Sequence, residues 1–416
     1  MFAYFCGMKL WRILLPAALF LSAALACEPE EKVYEGTPDT VFIYIGLGYN
    51  NLSSNLLTNM DEMLDDVLPG KSRDEVMLAY MHNTARGGDY STANPPCLMR
   101  LWRDRGINRA DTLKVYEDVS ISADADNIHE VLSDIKSLFP AKHYGALISS
   151  HATGWLPVGQ LNKSQQFSVA RTADENGTAF PATKSVGAQS IKNSAGVLKS
   201  YEIDIKDFAA AIPMKLDYLI FDACLMGCVE VAYELKDVCD KLVFSPTEVL
   251  TMGFDYSTLS RNLFSWDSPD LEQVALDYFS LYDKKSGYER SASVSVVDCT
   301  RAGALAECFA AIVENHADRM LYVDRSKVQR YFYDYKHWFY DLRDFALAGG
   351  ATESEMNALD AALDDFVILH RETPGFFDVE LERCCGISSY IPIYSEPGLN
   401  DYYRELKWNK AVGLVK

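Results

Sequence analysis

Two segments of this 416-residue chain end an apolar run in residues able to do nucleophilic chemistry. Leu147-Ile148-Ser149-Ser150 leads into His151-Ala152-Thr153-Gly154-Trp155, and Leu219-Ile220-Phe221 leads into Asp222-Ala223-Cys224-Leu225-Met226-Gly227. Taken singly, each has an ordinary explanation: a hydrogen-bonded histidine at a strand end, and a core cysteine beside Leu-Met. Together they are more specific. Acyl transfer needs a sulfur that attacks a carbonyl and an imidazole that manages the protons. A helix expected from Gly227 to Val238 begins just past Cys224, so its N-terminal dipole would favour the thiolate. The backbone N–H groups of Ala152 and Cys224 are the candidate donors to a developing oxyanion.

His-Ala-Thr-Gly-Trp and Phe-Asp-Ala-Cys-Leu-Met-Gly resemble the two signatures of the clostripain family of cysteine peptidases, whose fold is related to that of caspases, gingipains and legumain. Phe244-Ser245-Pro246-Thr247-Glu248 and Gly253-Phe254-Asp255-Tyr256 are similar to a further segment of that family. Three positions depart from its pattern: Ala152 stands for the usual Gly, Phe254 for Trp, and Gly48-Tyr49-Asn50-Asn51-Leu52 for Asp-Asn-Asn-Leu. The resemblance implies catalysis by His151 and Cys224 and recognition of a basic substrate residue by Asp222. Residues two apart on a strand share a side, so Asp222 and Cys224 can face one cleft. A carboxylate there suits Arg bidentately or Lys as a point charge. Self-cleavage after a basic residue between His151 and Cys224 is also implied, with Arg171, Lys184 and Lys192 the preferred candidates. The expected partners are protein or peptide substrates with basic residues. No cofactor is required, although calcium dependence is conceivable in such a family. A catalytically impaired cell-surface binding protein is the alternative, and a cysteine amidase or transpeptidase acting on cell-wall peptide is a third reading.

Delivering these residues to one edge requires an α/β scaffold. Buried-type strands are expected at Asp39–Leu47, Val76–His82, Thr112–Val119, Tyr144–Ser149, Leu216–Phe221 and Lys241–Phe244. Helical spacing appears at Ser53–Val67, about Asp126–Leu138 and Ile205–Ile212. Strands separated by helices imply a mostly parallel sheet covered on both faces, with ligands at the carboxyl ends of its strands. The expected fold is thus a caspase-like peptidase core over 39–260, followed by a C-terminal α+β region over 261–416. In that second part a strand is expected at Ser291–Val297, helices at Arg301–Met320, around Tyr331–Ala348 and at Ala351–Leu363, and late strands at Val379–Glu382 and Gly386–Tyr394.

The remaining features set the compartment. Lys9 and Arg12 precede an unbroken apolar run from Ile13 to Ala26, too short for a bilayer span of roughly 20 residues. Residues 1–27 therefore read as a signal peptide, with the small residues Ala24-Leu25-Ala26 placing lipoprotein cleavage before Cys27, and 28–38 as a linker. Ordinary cleavage after Ala26 is the alternative. The protein is expected to be exported, held at a membrane by a lipid on Cys27, and monomeric. Its 39 basic and 59 acidic residues give a formal charge of −20, which repels a phosphate backbone and excludes nucleic acid as a natural partner. Ten cysteines show no disulfide or zinc spacing, so most are expected to be free and buried.

Overall fold

The computed structural model describes residues 37–416 apart from 71–73, 86–88, 161–172, 175, 185–188, 193–197, 265–267 and 334–336. The leader, Cys27 and Arg171 lie outside the described residues.

The first half runs β1 (Thr40–Gly48), α1 (Ser53–Asp65), β2 (Glu75–Ala85), β3 (Asp89–Ala93), β4 (Cys97–Asp104), β5 (Ile107–Val115), α2 (Ala125–Leu138) and β6 (His143–Ser149). A small hairpin, β7 (Gln189–Lys192) and β8 (Leu198–Tyr201), precedes α3 (Ile205–Ala211), β9 (Leu216–Asp222), α4 (Val229–Leu235) and β10 (Cys239–Phe244). Then follow α5 (Leu259–Leu263), α6 (Leu271–Asp283), β11 (Ser293–Asp298), α7 (Ala302–Leu321), β12 (Tyr340–Asp341), α8 (Leu342–Ala348), α9 (Glu353–Phe366) and β13 (Val367–Glu372).

One large sheet has the order β13-β11-β10-β9-β6-β1-β2-β4-β5, with β3 also on β2. The five central strands, β10 to β2, are mutually parallel. Antiparallel pairs close both edges: β4 and β5 beyond β2, β11 and β13 beyond β10. Every residue of β1 after Thr40 is buried, the pattern of a strand covered on both faces. The helix α2 turns Ile128, Val131, Leu132 and Ile135 inward, and Asp124 caps it by accepting the N–H groups of Asp126 and Asn127. Because β11 and β13 extend the same sheet, the C-terminal region completes the core rather than forming a separate one.

Several elements differ from the sequence expectation. The strand expected at Thr112–Val119 is the end of β5, which starts at Ile107, and β4 is hidden in sequence because half-buried Arg100, Arg103 and Asp104 interrupt its apolar run. The helix expected from Gly227 begins only at Val229 and ends at Leu235. Of the helix expected around Tyr331–Ala348, the described residues form α8 alone: Asp341 caps it by accepting the Asp344 N–H, while Tyr340 and Asp341 pair with Ser389 and Ser388. The late strands shrink to the residue pairs Val379–Glu380 and Ser388–Ser389. Among the described residues no helix is long and apolar enough to cross a membrane, and the eight described cysteines are free.

Candidate active site

The strand order reverses direction between β1 and β6. From β1 the chain crosses to β2 on one side, and from β6 it proceeds through β9 to β10 on the other. In open parallel sheets such a switch point leaves a crevice at the carboxyl ends of the strands. Register sets what lines it. Gly46 of β1 pairs with Ser149 of β6, and Ser149 with Asp222 of β9, so the three strands end level. Asn51 follows β1, His151 follows β6 and Cys224 follows β9. The sequence-predicted His151, Ala152, Asp222 and Cys224 therefore meet at one edge.

Lys184 lies in the middle of this site, and its side chain and that of Asp222 are both 0 % exposed. The ammonium forms a salt bridge with Asp222 Oδ2 and donates to Ser149 Oγ at 2.9 Å. Asp222 Oδ2 also accepts the hydroxyls of Ser149 at 2.7 Å and Tyr256 at 2.5 Å, whereas Oδ1 has no hydrogen-bond partner among the described residues. Burial, followed by the Asp222 charge, pushes the Tyr256 phenol well above its ordinary pKa, so it stays a donor to the carboxylate. Gly253 lets the chain pass close: at φ +74°, a Cβ there would sit 2.5 Å from Asp222 Oδ2.

The backbone before Lys184 lies along 249–251 as an added antiparallel strand. Lys184 N–H donates to Val249 O at 2.8 Å, Thr251 N–H to Ala182 O at 3.0 Å, and Thr183 bridges Leu250. The Thr183 hydroxyl donates to Glu248 Oε1 at 2.9 Å. The Lys184 carbonyl is 2.7 Å from His151 Nδ1 and accepts the Ala152 N–H at 3.4 Å. The methyl of Ala152, where the resembling family has Gly, thus does not keep this carbonyl away.

On its other side, His151 Nε2 is 2.7 Å from the Asn51 side-chain oxygen. A neutral imidazole with its proton on Nδ1 donates to the Lys184 carbonyl, and the Asn51 amide turned about its bond offers N–H to Nε2. Burial first, with the nearby Lys184 cation acting in the same direction, pushes His151 down to about 4. The ring is thus neutral at neutral pH and fit to accept a proton. Cys224 is fully buried, and its Sγ accepts the Val249 N–H at 3.0 Å. The following Leu225 has φ +61°, a left-handed conformation that a branched residue adopts only under constraint. Its N–H is tied to Thr247 O at 2.9 Å. The helix expected directly behind Cys224 is displaced: α4 starts five residues later and has only seven residues, and the sulfur instead receives the Val249 N–H.

Of the three basic candidates between His151 and Cys224, Lys184 is at the site, Lys192 ends β7, and Arg171 is outside the described residues. Asn51, Glu248, Ser149 and Tyr256 were not assigned roles from sequence. The available signal for Asn51 is its place three residues beyond Gly48, where the strand bordering the switch point ends.

A model of the clostripain family matches residues 43–348. The chain belongs to the clostripain family of cysteine peptidases. No curated protein matches it. Among solved structures, it is similar to an inactive zymogen C11 protease from Parabacteroides distasonis, with a TM-score of 0.73 and 24% identity over 91% of this chain and 99% of that one. It is also similar to a secreted C11 cysteine protease from Bacteroides thetaiotaomicron, with a TM-score of 0.72 and 26% identity over 91% and 99% of the two chains. Both share with this clostripain-family chain the mostly parallel, helix-flanked sheet. Among its described residues, no group of three or more His, Cys, Asp or Glu side chains is placed to hold a metal ion.

Proposed function

We propose that this chain is an exported endopeptidase that cleaves after Lys or Arg through Cys224 and His151, and that it first cuts itself between Lys184 and Ser185. One observation carries this reading: Lys184 is seated as a substrate would be, with its ammonium on Asp222, its backbone paired with 249–251 and its carbonyl at His151 and the Ala152 N–H. In the reaction, Cys224 Sγ attacks the Lys184 carbonyl carbon and its proton passes to His151. The oxyanion is received by the Ala152 N–H, with that of Cys224 as the second donor. His151 then delivers the proton to the departing Ser185 amine as the C–N bond breaks. Water, deprotonated by the same imidazole, hydrolyses the thioester and restores the thiol. The unpartnered Asp222 Oδ1 gives a guanidinium a second oxygen, which is why Arg is included beside Lys. Export is supported by the apolar leader and by the secreted relative, and lipidation of Cys27 by the residues before it.

Incubating purified wild-type chain beside Cys224→Ala, with N-terminal sequencing of the fragments, tests the self-cleavage. A new amino terminus at Ser185 in wild type alone is expected. Fluorogenic Lys, Arg and Asp peptides test the activity in trans. A folded, processed sample that hydrolyses neither basic peptide refutes the peptidase reading, and labelling of each chain with a radioactive fatty acid in a bacterial host tests Cys27.

A further inference from the structure

Four residues before Lys184, Phe180 enters a set of aromatic rings that the chemistry at Cys224 does not use. Its ring stacks on Phe377 at 4.6 Å and 4°. It meets Tyr288 at 5.0 Å and 73° and Tyr333 at 5.4 Å and 73°. These three partners come from separate parts of the C-terminal region: a single turn between α6 and β11, the loop before β12, and the turn before Val379. They also contact one another, Tyr333 with Phe377 at 5.2 Å and Tyr288 with Phe377 at 6.1 Å, so the cage does not depend on Phe180 to hold it together. Phe377 presents its ring from a backbone at φ +54°, and its N–H is pinned by the buried Ser291 Oγ at 3.0 Å. A non-glycine residue held in that region is strained, and such strain collects at ligand clamps.

We infer that this cage is a distal substrate subsite, which takes an aromatic side chain four residues before the basic residue at the cleaved bond. The inference rests on the proposed peptidase reading. Any peptide that replaces 182–184 as an added strand, with its basic side chain on Asp222, carries its fifth residue back towards the same rings. An extended chain of four residues covers about 13 Å, and Phe180 shows that this chain length reaches the cage. The preferred substrate class is therefore an exposed, extended segment with Phe, Tyr or Trp four positions before Lys or Arg.

The processed enzyme is assayed on two coumarin-releasing peptides, Phe-Pro-Ala-Thr-Lys and Ala-Pro-Ala-Thr-Lys. The Phe peptide is expected to have a kcat/KM higher by about tenfold, the equivalent of one aromatic pair at the top of its usual range. Phe377→Ala should bring the two rates together while leaving the Ala peptide unaffected, a readout that general loss of structure would not give. Tyr288→Ala, at a half-buried position, provides the same comparison should the first variant not fold. Equal rates in wild type, or a preference that survives both substitutions, overturns the subsite. If neither peptide is cleaved, the peptidase reading itself has failed and the cage is read without catalysis. In the Cys224→Ala chain, Phe180→Ala should then speed trypsin cleavage at Lys184 about tenfold whereas Phe180→Trp should not, and equal trypsin rates overturn the inference.

Discussion

The buried pair Lys184–Asp222 offers the sharpest quantitative test, and it is best made in the uncut Cys224→Ala chain so that no cleavage intervenes. Both side chains are fully buried. Replacing Asp222 by Asn leaves the ammonium with Ser149 Oγ at 2.9 Å and the Asp222 main-chain carbonyl at 3.4 Å. Replacing Lys184 by Met leaves the carboxylate with the Ser149 and Tyr256 hydroxyls. Removing one partner of a buried ion pair costs about 3–5 kcal/mol, chiefly because the other charge stays desolvated, whereas removing both is often nearly neutral. The double variant should thus be destabilised by much less than the sum of the singles, with a coupling of about 3 kcal/mol. For a folded unit of roughly 380 residues, with about 2 cal/mol/K of unfolding entropy per residue, each single change lowers Tm by about 4–6 °C. Calorimetry on the four chains reads this directly. Additive effects, with a coupling below about 0.5 kcal/mol, would mean that Lys184 does not occupy the Asp222 pocket, and the self-cleavage proposal would lose its physical basis.

Two further outcomes concern the site and a third a buried histidine outside it. Asn51→Ala, which removes the Nε2 partner of His151, should lower kcat for a Lys peptide by about tenfold to a hundredfold with little change in KM; Asn51→Asp should recover part of the rate and raise the acidic limb of the pH profile, since an adjacent carboxylate favours the imidazolium. Glu248→Ala should abolish a preference of about tenfold for Thr over Val directly before the basic residue, because the Thr183 hydroxyl donates to Glu248 and a hydrogen bond to a charged group contributes about 1.5–3 kcal/mol; kcat/KM ratios on the paired peptides check it. His82 is completely buried, and burial pushes it down to about 4. The unfolded chain, with His near 6.5, takes up a proton first as pH falls, so His82 contributes stability that is complete above about pH 6.5 and lost towards pH 4. The difference in denaturation free energy between wild type and His82→Gln should therefore shrink by about 2–3 kcal/mol between pH 7 and 4.5, and a constant difference refutes the assignment.

What is legible in sequence depends on regular elements. His151 and Cys224 stand out because each follows an apolar strand whose exit the local pattern fixes. The helix behind Cys224 was misplaced because apolar spacing does not distinguish the extended Met226-Gly227-Cys228 segment from a first helical turn. β4, between β2 and the edge strand β5, is not legible in sequence because Arg100, Arg103 and Asp104 interrupt its apolar pattern. Asn51 and Glu248 meet their partners across long stretches of chain, Asn51 at His151 and Glu248 at the Thr183 hydroxyl 65 positions earlier, so local pattern does not pair them.

The sequence by itself determined the central strands and placed His151, Asp222 and Cys224 at the ends of two of them. It did so because strand periodicity and exit position depend on neighbours along the chain. Only the tertiary structure placed Lys184 on Asp222, since that contact depends on which loop residue reaches a buried carboxylate across the sheet edge. The same holds for the aromatic cage. Tyr288, Tyr333 and Phe377 are separated in the sequence by tens of residues, and their shared surface exists only where three connecting segments converge beside 180–184.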